Sequence, residues 1–203
     1  MARRVSSAFL DRGLVVDNSA FQRGGHPAVS EDWLTAIRDG QLYRSPILEF
    51  EVLYSARNAR EHAELREELE ALSPLELTTE IVNAALQAQG ELAQHAPAFH
   101  RLPHQDYLVA SIAAANGLGV LHYDSDFDRI AQHSSLLFES VWIAAAGSFD
   151  QEGMADPLRQ RRRAVAHGLA QFSGDRAGDV LDSVLDLIDD ALRADGLQPP
   201  ARS

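Results

Sequence analysis

The sequence predicts an α/β fold with a mainly parallel sheet, one principal domain and a helical appendage. Three observations point there. Brief apolar or β-branched runs alternate with helical patterns as far as Ile143, the order that produces parallel strands joined by right-handed crossovers. Helix start and stop signals separate those runs. The 203 residues, 45% of them hydrophobic, supply one full-sized core and too little for two large ones.

Leu14-Val15-Val16 is a buried strand that delivers Asp17 at its C-terminal end. Ser30 to Asp39 is a helix stopped at Gly40. Ser45 as N-cap and Pro46 at the first helical position open a helix running to about Arg57. On it Glu49 and Glu51 lie only two apart and so point to different faces. Glu61 to Leu72 is a charged helix, and Leu75-Glu76-Leu77 is expected to be the second strand. Thr79 to His95 is helical, followed by a loop containing Pro97 and Pro103. Gln105 to Asn116 is an alanine-rich, largely buried helix closed by Gly117. Val120 to Tyr123 is the third strand, Asp126 to His133 a short helix, and Val141-Trp142-Ile143 a last strand. Residues 148–157 have a linker's composition, so the main domain is expected over 1–147 and a linker with a helical extension over 148–203. Within that extension, helices are expected at about 156–172 and 176–195, the second with Val180, Val184, Leu187, Ile188 and Ala191 on one stripe.

Composition removes whole classes of chemistry. With no cysteine there are no disulfides, thiolate nucleophiles or cysteine metal sites. All 18 basic residues are arginine, which excludes Schiff-base chemistry and the phosphate-binding lysine of a P-loop. It also weighs against phosphotransfer receivers and haloacid-dehalogenase phosphatases, which pair an acidic pocket with a lysine. The net charge of −12 opposes nucleic-acid binding by bulk electrostatics, so any such role must be local. Residues 151–203 carry 9 acidic and 7 basic side chains, which leaves most of the acidic excess on residues 1–150. No run approaches the ~20 apolar residues of a membrane span, and Met1 to Leu10 lacks the apolar stretch of a signal peptide. A soluble cytoplasmic protein without membrane partners is expected.

In an open parallel sheet, ligands sit outside the carboxyl ends of the strands. Asp17 lies at such an end, and Asp124 and Asp126 directly follow another. Asp106 occupies the first turn of its helix, and Glu51 lies on the helix capped by Ser45. Acids converging there repel one another and raise each other's pKa values unless a divalent cation neutralises them. Carboxylate-only coordination suits Mg²⁺ or Mn²⁺ rather than zinc. Such a site polarises a phosphate, makes a bound water more nucleophilic and stabilises the leaving oxygen, so phosphodiester hydrolysis follows.

The segments LVVDNSA (Leu14 to Ala20), EVLYSAR (Glu51 to Arg57), HQDYLVASIAAANG (His104 to Gly117) and VLHYDSDFDRIA (Val120 to Ala131) together resemble the actinobacterial branch of VapC toxins. The resemblance spans about residues 13–143. It implies a PIN fold, with a mainly parallel sheet of four or five strands flanked by helices, and an acidic metal site that cuts RNA. By position it makes Asp17, Glu51, Asp106, Asp124 and Asp126 the metal-binding and catalytic acids, with Ser19 supporting the metal's water shell. It further implies tRNA or ribosomal RNA as substrate, a cognate antitoxin as partner, and a homodimer. The extension after about residue 147 departs from typical members.

Several residues admit other readings. Glu49 competes with Glu51, which is preferred because it lies three before Tyr54 in the motif; Asp124 is favoured slightly over Asp126 as direct ligand. Asp128 is expected to be a solvated helix residue, and His122 to be packed in the sheet. His95, His100 and His104 match no zinc spacing and are taken as loop or surface residues. Arg159, Arg161, Arg162 and Arg163 form a solvated helix face, an RNA-phosphate contact, or a source of an arginine for the acidic pocket. The rival functions are a non-catalytic PIN-like interaction module, a housekeeping RNA-processing nuclease and a phosphotransfer receiver. An interaction module has no need of five mutually repelling carboxylates.

Overall fold

The computed structural model describes residues 13–149. Five short strands form one sheet: β1 (Leu14–Val16), β2 (Leu42–Arg44), β3 (Ser73–Pro74), β4 (Gly119–His122) and β5 (Ser140–Trp142). Their order is β3-β2-β1-β4-β5 and every pairing is parallel. The chain leaves β1 for β2 on one side and later returns to β4 on the other. A topological switch point therefore lies between β1 and β4, where a crevice opens at the strand C-termini. The register Val16↔Leu121 brings Asp17 and the residues after His122 to that crevice.

Seven helices connect and flank the strands: α1 (Asn18–Phe21), α2 (Ser30–Arg38), α3 (Pro46–Tyr54), α4 (Ala59–Glu70), α5 (Thr79–His95), α6 (His104–Ala115) and α7 (Ser125–His133). Their boundaries follow the capping chemistry. Ser45, Asn58 and Thr78 accept hydrogen bonds from Leu48, Glu61 and Ile81 backbone N–H groups, satisfying donors that open the helices. Gly40 and Gly117 take φ values of 67° and 66°, which lets the chain turn out of α2 and α6. A continuous apolar core joins Val15 and Val120 of the sheet to Ile81, Ala85, Ala88 and Leu92 of α5, Val109 and Ile112 of α6, and Phe127 and Ile130 of α7. Strands β1 and β4 are fully buried, as befits central parallel strands.

Besides one-residue shifts of β4 and β5 and the short helix α1, the structure departs from the sequence expectation in three places. Leu42–Arg44 is a strand the sequence pattern does not reveal: three residues between Gly40 and the Ser45 cap are too few to display a period. The strand expected at Leu75 to Leu77 lies instead at Ser73–Pro74. Leu75 N–H still donates to Arg44 O at 2.9 Å, but the chain then leaves the sheet edge toward the Thr78 cap. The helix opened by Ser45 ends at Tyr54, short of Arg57, because Asn58 caps the next helix.

The described residues fall into two compact units, one of 13–21 with 36–148 and the other of 22–35 with Phe149. In the second, Gly24 lies so close beneath Trp33 that a Cβ there would stand 2.5 Å from the indole, and the His26 and Phe149 rings pack with centroids 4.3 Å apart. The helices expected at 156–172 and 176–195 and the basic run from Arg159 lie outside the described residues.

Candidate active site

Each acid of the site is placed by local backbone structure. Asp17 N–H donates to Leu121 O at 2.9 Å, continuing the β1–β4 pairing by one residue and holding Asp17 at the strand mouth. Its Oδ2 accepts hydrogen bonds from Ser19 N–H and from the Ser19 hydroxyl. The same hydroxyl oxygen accepts Tyr123 N–H at 2.8 Å, so Ser19 ties the ends of β1 and β4 together and orients Asp17 between them. Asp124 is the N-cap of α7, its Oδ1 accepting from Asp126 N–H at 3.0 Å. Asp126 and Asp106 lie in the first turns of α7 and α6, where helix dipoles favour negative charge.

Among the described residues, Asp106, Asp124 and Asp126 can each present one carboxylate oxygen so that all three lie within 4.8 Å of one another. Asp17 and Glu51 complete the field. Burial pushes the Asp106 carboxyl up to about 8, and the charges of Asp17, Asp124, Asp126 and Glu51 all push the same way. Burial also raises Asp17, opposed by the Ser19 and Asn18 hydrogen bonds and reinforced by Asp124. Glu51 is raised by burial and then by Asp17. Asp126 is raised by burial and Asp124, against the lowering effect of Arg129. All five acids named from the sequence thus meet in one electrostatic neighbourhood.

The donor set fits a divalent cation. Asp106 Oδ2 is buried and has no hydrogen-bond partner, a costly state for a carboxylate unless an ion or a proton occupies it. The oxygen-only ligands match a hard metal.

Glu49 is held elsewhere. Arg44 Nε donates to Glu49 Oε1 at 2.6 Å, and its Nη1 donates to Leu69 O and Leu72 O. Glu49 therefore balances an arginine that caps the end of α4. A single helical spacing of two residues separates this structural acid from Glu51.

A family model described as the PIN domain matches residues 14–132. Ribonuclease VapC18 of Mycobacterium tuberculosis is 34% identical over 134 residues, covering 66% of this chain and 96% of the relative. Ribonuclease VapC51 of the same species is 35% identical over 136 residues, covering 67% and 96%. The chain belongs to the VapC family of PIN-domain proteins. Among solved structures, the DNA-bound VapBC from Salmonella typhimurium superposes with a TM-score of 0.53 at 16% identity, covering 66% of this chain and 99% of that one. VapBC2 from Rickettsia felis, bound to a promoter fragment, gives 0.52 at 14% identity, covering 64% and 98%. At those identities the likeness concerns the fold.

Within this PIN domain two expectations need revision, one corrected and one sharpened. Asp128 is not a solvated helix residue: its Oδ1 accepts from the Ser140 hydroxyl and its Oδ2 from Trp142 Nε1 at 2.9 Å. His122 is packed in the sheet as expected, fully buried, but it is also bonded on both ring nitrogens, to Asp124 N–H at 3.1 Å and Ser140 Oγ at 2.6 Å. Burial lowers its pKa to about 4 despite the nearby Asp128 and Asp124 carboxylates, so the ring is neutral at neutral pH. The spacing of His122, Asp124 and Asp128 was visible in the motif, but the partners of His122 and Asp128 lie on β5, the next strand of the sheet, outside that motif. His95 stacks on His133 with centroids 4.0 Å apart and on Phe99 at 4.9 Å, an aromatic cluster at the loop before α6.

Proposed function

We propose that the protein is a Mg²⁺- or Mn²⁺-dependent endoribonuclease, the toxin of a VapBC-like type II toxin–antitoxin pair. The observation that carries this reading is the buried, unpartnered Asp106 carboxylate, raised to about 8 and faced by four further acids at the sheet's switch point. Both mycobacterial relatives are ribonucleases by name, and two thirds of this chain spans almost all of each.

Asp106, Asp124 and Asp126 would hold the cation directly, with Asp17 and Glu51 adding charge and binding its waters. When bound, the ion neutralises the cluster, polarises the scissile phosphate and makes water a better nucleophile. The chain's own part is to preorganise. Ser19 acts through Asp17, whose Oδ2 it aims, and so supports the water shell indirectly. Asp106 gives up its proton on loading. Arg129, 3.6 Å from Asp126 and stacked 5.1 Å from the Phe99 centroid, supplies a positive charge at the rim for an RNA phosphate. That local charge answers the unfavourable net charge of −12.

The substrate is an accessible loop of tRNA or ribosomal RNA, where unstacked bases can be reached. A cognate antitoxin and a second copy of the chain are the expected protein partners. Phe50 and Tyr54, one turn apart on α3 and 77% and 93% exposed, offer apolar area for such assembly. No helix among the described residues is long and apolar enough to cross a membrane, and a cytoplasmic location fits this activity. Residues 1–147 form the nuclease domain in this reading, and 148–203 a linker and helical extension.

Purified protein incubated with structured RNA should cleave it in Mg²⁺ or Mn²⁺ and stop in EDTA, with Zn²⁺ a poor substitute. Cleavage that continues in EDTA with the same products would overturn the metal mechanism.

A further inference from the structure

Asp124 sits at the end of a partly buried hydrogen-bond chain that starts on another strand. Trp142 Nε1–H of β5 donates to Asp128 Oδ2, and the Ser140 hydroxyl donates to Asp128 Oδ1. Ser140 Oγ has then used its proton and accepts from His122 Nε2. His122 Nδ1 in turn accepts the backbone N–H of Asp124. Every link has one possible direction: because Nδ1 accepts an amide N–H, the ring proton must lie on Nε2, pointing at Ser140.

The geometry points to His122, Ser140, Asp128 and Trp142 as a positioning relay that fixes the backbone of Asp124 and so sets the metal site. Asp124 carries two duties there. Its peptide N–H is held by His122, and its Oδ1 caps Asp126 N–H. Releasing the amide would let the Asp124 peptide rotate, moving a carboxylate and the first turn of α7, which bears Asp126, together. Two of the three convergent carboxylates thus depend on one imidazole acceptor. The relay also explains why a carboxylate, Asp128, occupies the first turn of α7 without belonging to the acidic cluster: it takes the two side-chain donors of Ser140 and Trp142 on β5. Supporting partners of this kind govern metal affinity by orienting the ligands. None of the four relay residues would touch the ion, so they are positioning residues.

This inference rests on the metal-dependent reading of the site. The test measures Mn²⁺ affinity of the full-length protein from the free-ion EPR signal, with melting temperature recorded in EDTA. In His122→Asn the amide oxygen stands near the position of Nδ1 and can still accept Asp124 N–H. In His122→Gln the amide reaches toward Ser140 instead and leaves Asp124 N–H without its acceptor. Both variants lose imidazole packing against Phe127 and Trp142, whose ring centroids lie 5.0 and 5.1 Å away, so both should melt lower. The relay predicts that H122Q binds Mn²⁺ at least about tenfold more weakly than wild type while H122N stays near it. Ser140→Ala should weaken binding in the same direction, and Ser140→Thr should restore it. Wild-type binding of Mn²⁺ with equal affinities in H122Q, H122N and S140A overturns the relay alone, as does a loss that merely follows melting temperature. A wild-type protein that binds no Mn²⁺ overturns the metal reading and the relay with it.

Discussion

Helix α4 and the crevice at the ends of β1 and β4 are both rich in carboxylates, and they behave in opposite ways. On α4, Glu61 and Glu64 pair with Arg57 and Arg60 at 3.0 and 2.8 Å, one turn apart, with solvent around them. Leu65 and Leu69 face inward, so the helix is held by its apolar stripe and its acids stay outside. In the crevice, Asp17 and Asp106 are buried, and among the described residues the cation paired with one of these acids is Arg129, beside Asp126. Acid density alone therefore carries no function. Burial of several acids against one another does, because it favours a proton or a metal ion among them.

That contrast breaks most decisively at Asp106. Asp106→Asn should reduce cleavage by roughly a hundredfold or more, while raising the melting temperature in EDTA at neutral pH, since the amide is neutral in both states and folding no longer has to hold a proton on this buried group. Loss of activity in step with unfolding would return Asp106 to a structural role.

A pH series in EDTA sharpens the same difference. Asp106, raised to about 8 in the folded protein, keeps its proton there while the unfolded chain has lost it, so stability falls as pH rises toward 8. His122, lowered to about 4, works the other way: below the ordinary histidine value of 6.5 the unfolded chain gains a proton the folded one refuses, and stability falls on acidification. Between about pH 4 and 6.5 the two effects run in opposite directions and largely offset, so thermal melts of the metal-free protein should change little there and fall from pH 6.5 to 8, where Asp106 acts without His122. Added Mg²⁺ should stabilise more at pH 8 than at pH 6.5, because at the lower pH it competes with the Asp106 proton. A gain in stability from pH 6.5 to 8 in EDTA would contradict the assignment.

The neighbouring pair on α3 is the next test. Glu51→Gln should lower cleavage about tenfold and weaken Mg²⁺ dependence, whereas Glu49→Gln should leave cleavage intact and cost about 1 kcal/mol of stability or less, as a partly exposed ion pair does. Glu64→Gln on α4 should cost less still. Equal kinetic effects at Glu49 and Glu51 would mean the helix face was misassigned. Smallest of all should be the effect of deleting residues 150–203 on metal-dependent cleavage itself, with any change confined to oligomeric state, RNA affinity or inhibition. A truncated protein that folds and dimerises yet cuts no RNA would place that segment in the active site.

Much of this was legible because the relevant signals are local. Ser45-Pro46 announces a helix through two backbone preferences of its own, and Thr79 to His95 is closed by a proline-containing loop. Asp17 and Asp124 follow apolar runs, and the end of a parallel strand is where such folds bind ligands. Leu42–Arg44 escaped notice for the converse reason: a three-residue strand has no period, and its identity depends on lying between β1 and β3. Leu75 to Leu77 has the composition of a strand, but the sheet edge pairs only two residues before the chain turns to α5.

By itself, then, the sequence determined the α/β class, the Ser45 cap, the exclusion of cysteine and lysine chemistry, and which five acids to look for at the strand ends. Those follow from residue type and near-neighbour spacing. Only the tertiary structure decided that Glu49 is held by Arg44, that Asp128 belongs to β5, and that Asp124 is held by His122. In each case the partner lies on another element, and whether a carboxylate is an ion's ligand or a clamp depends on which donors the fold brings within hydrogen-bond distance.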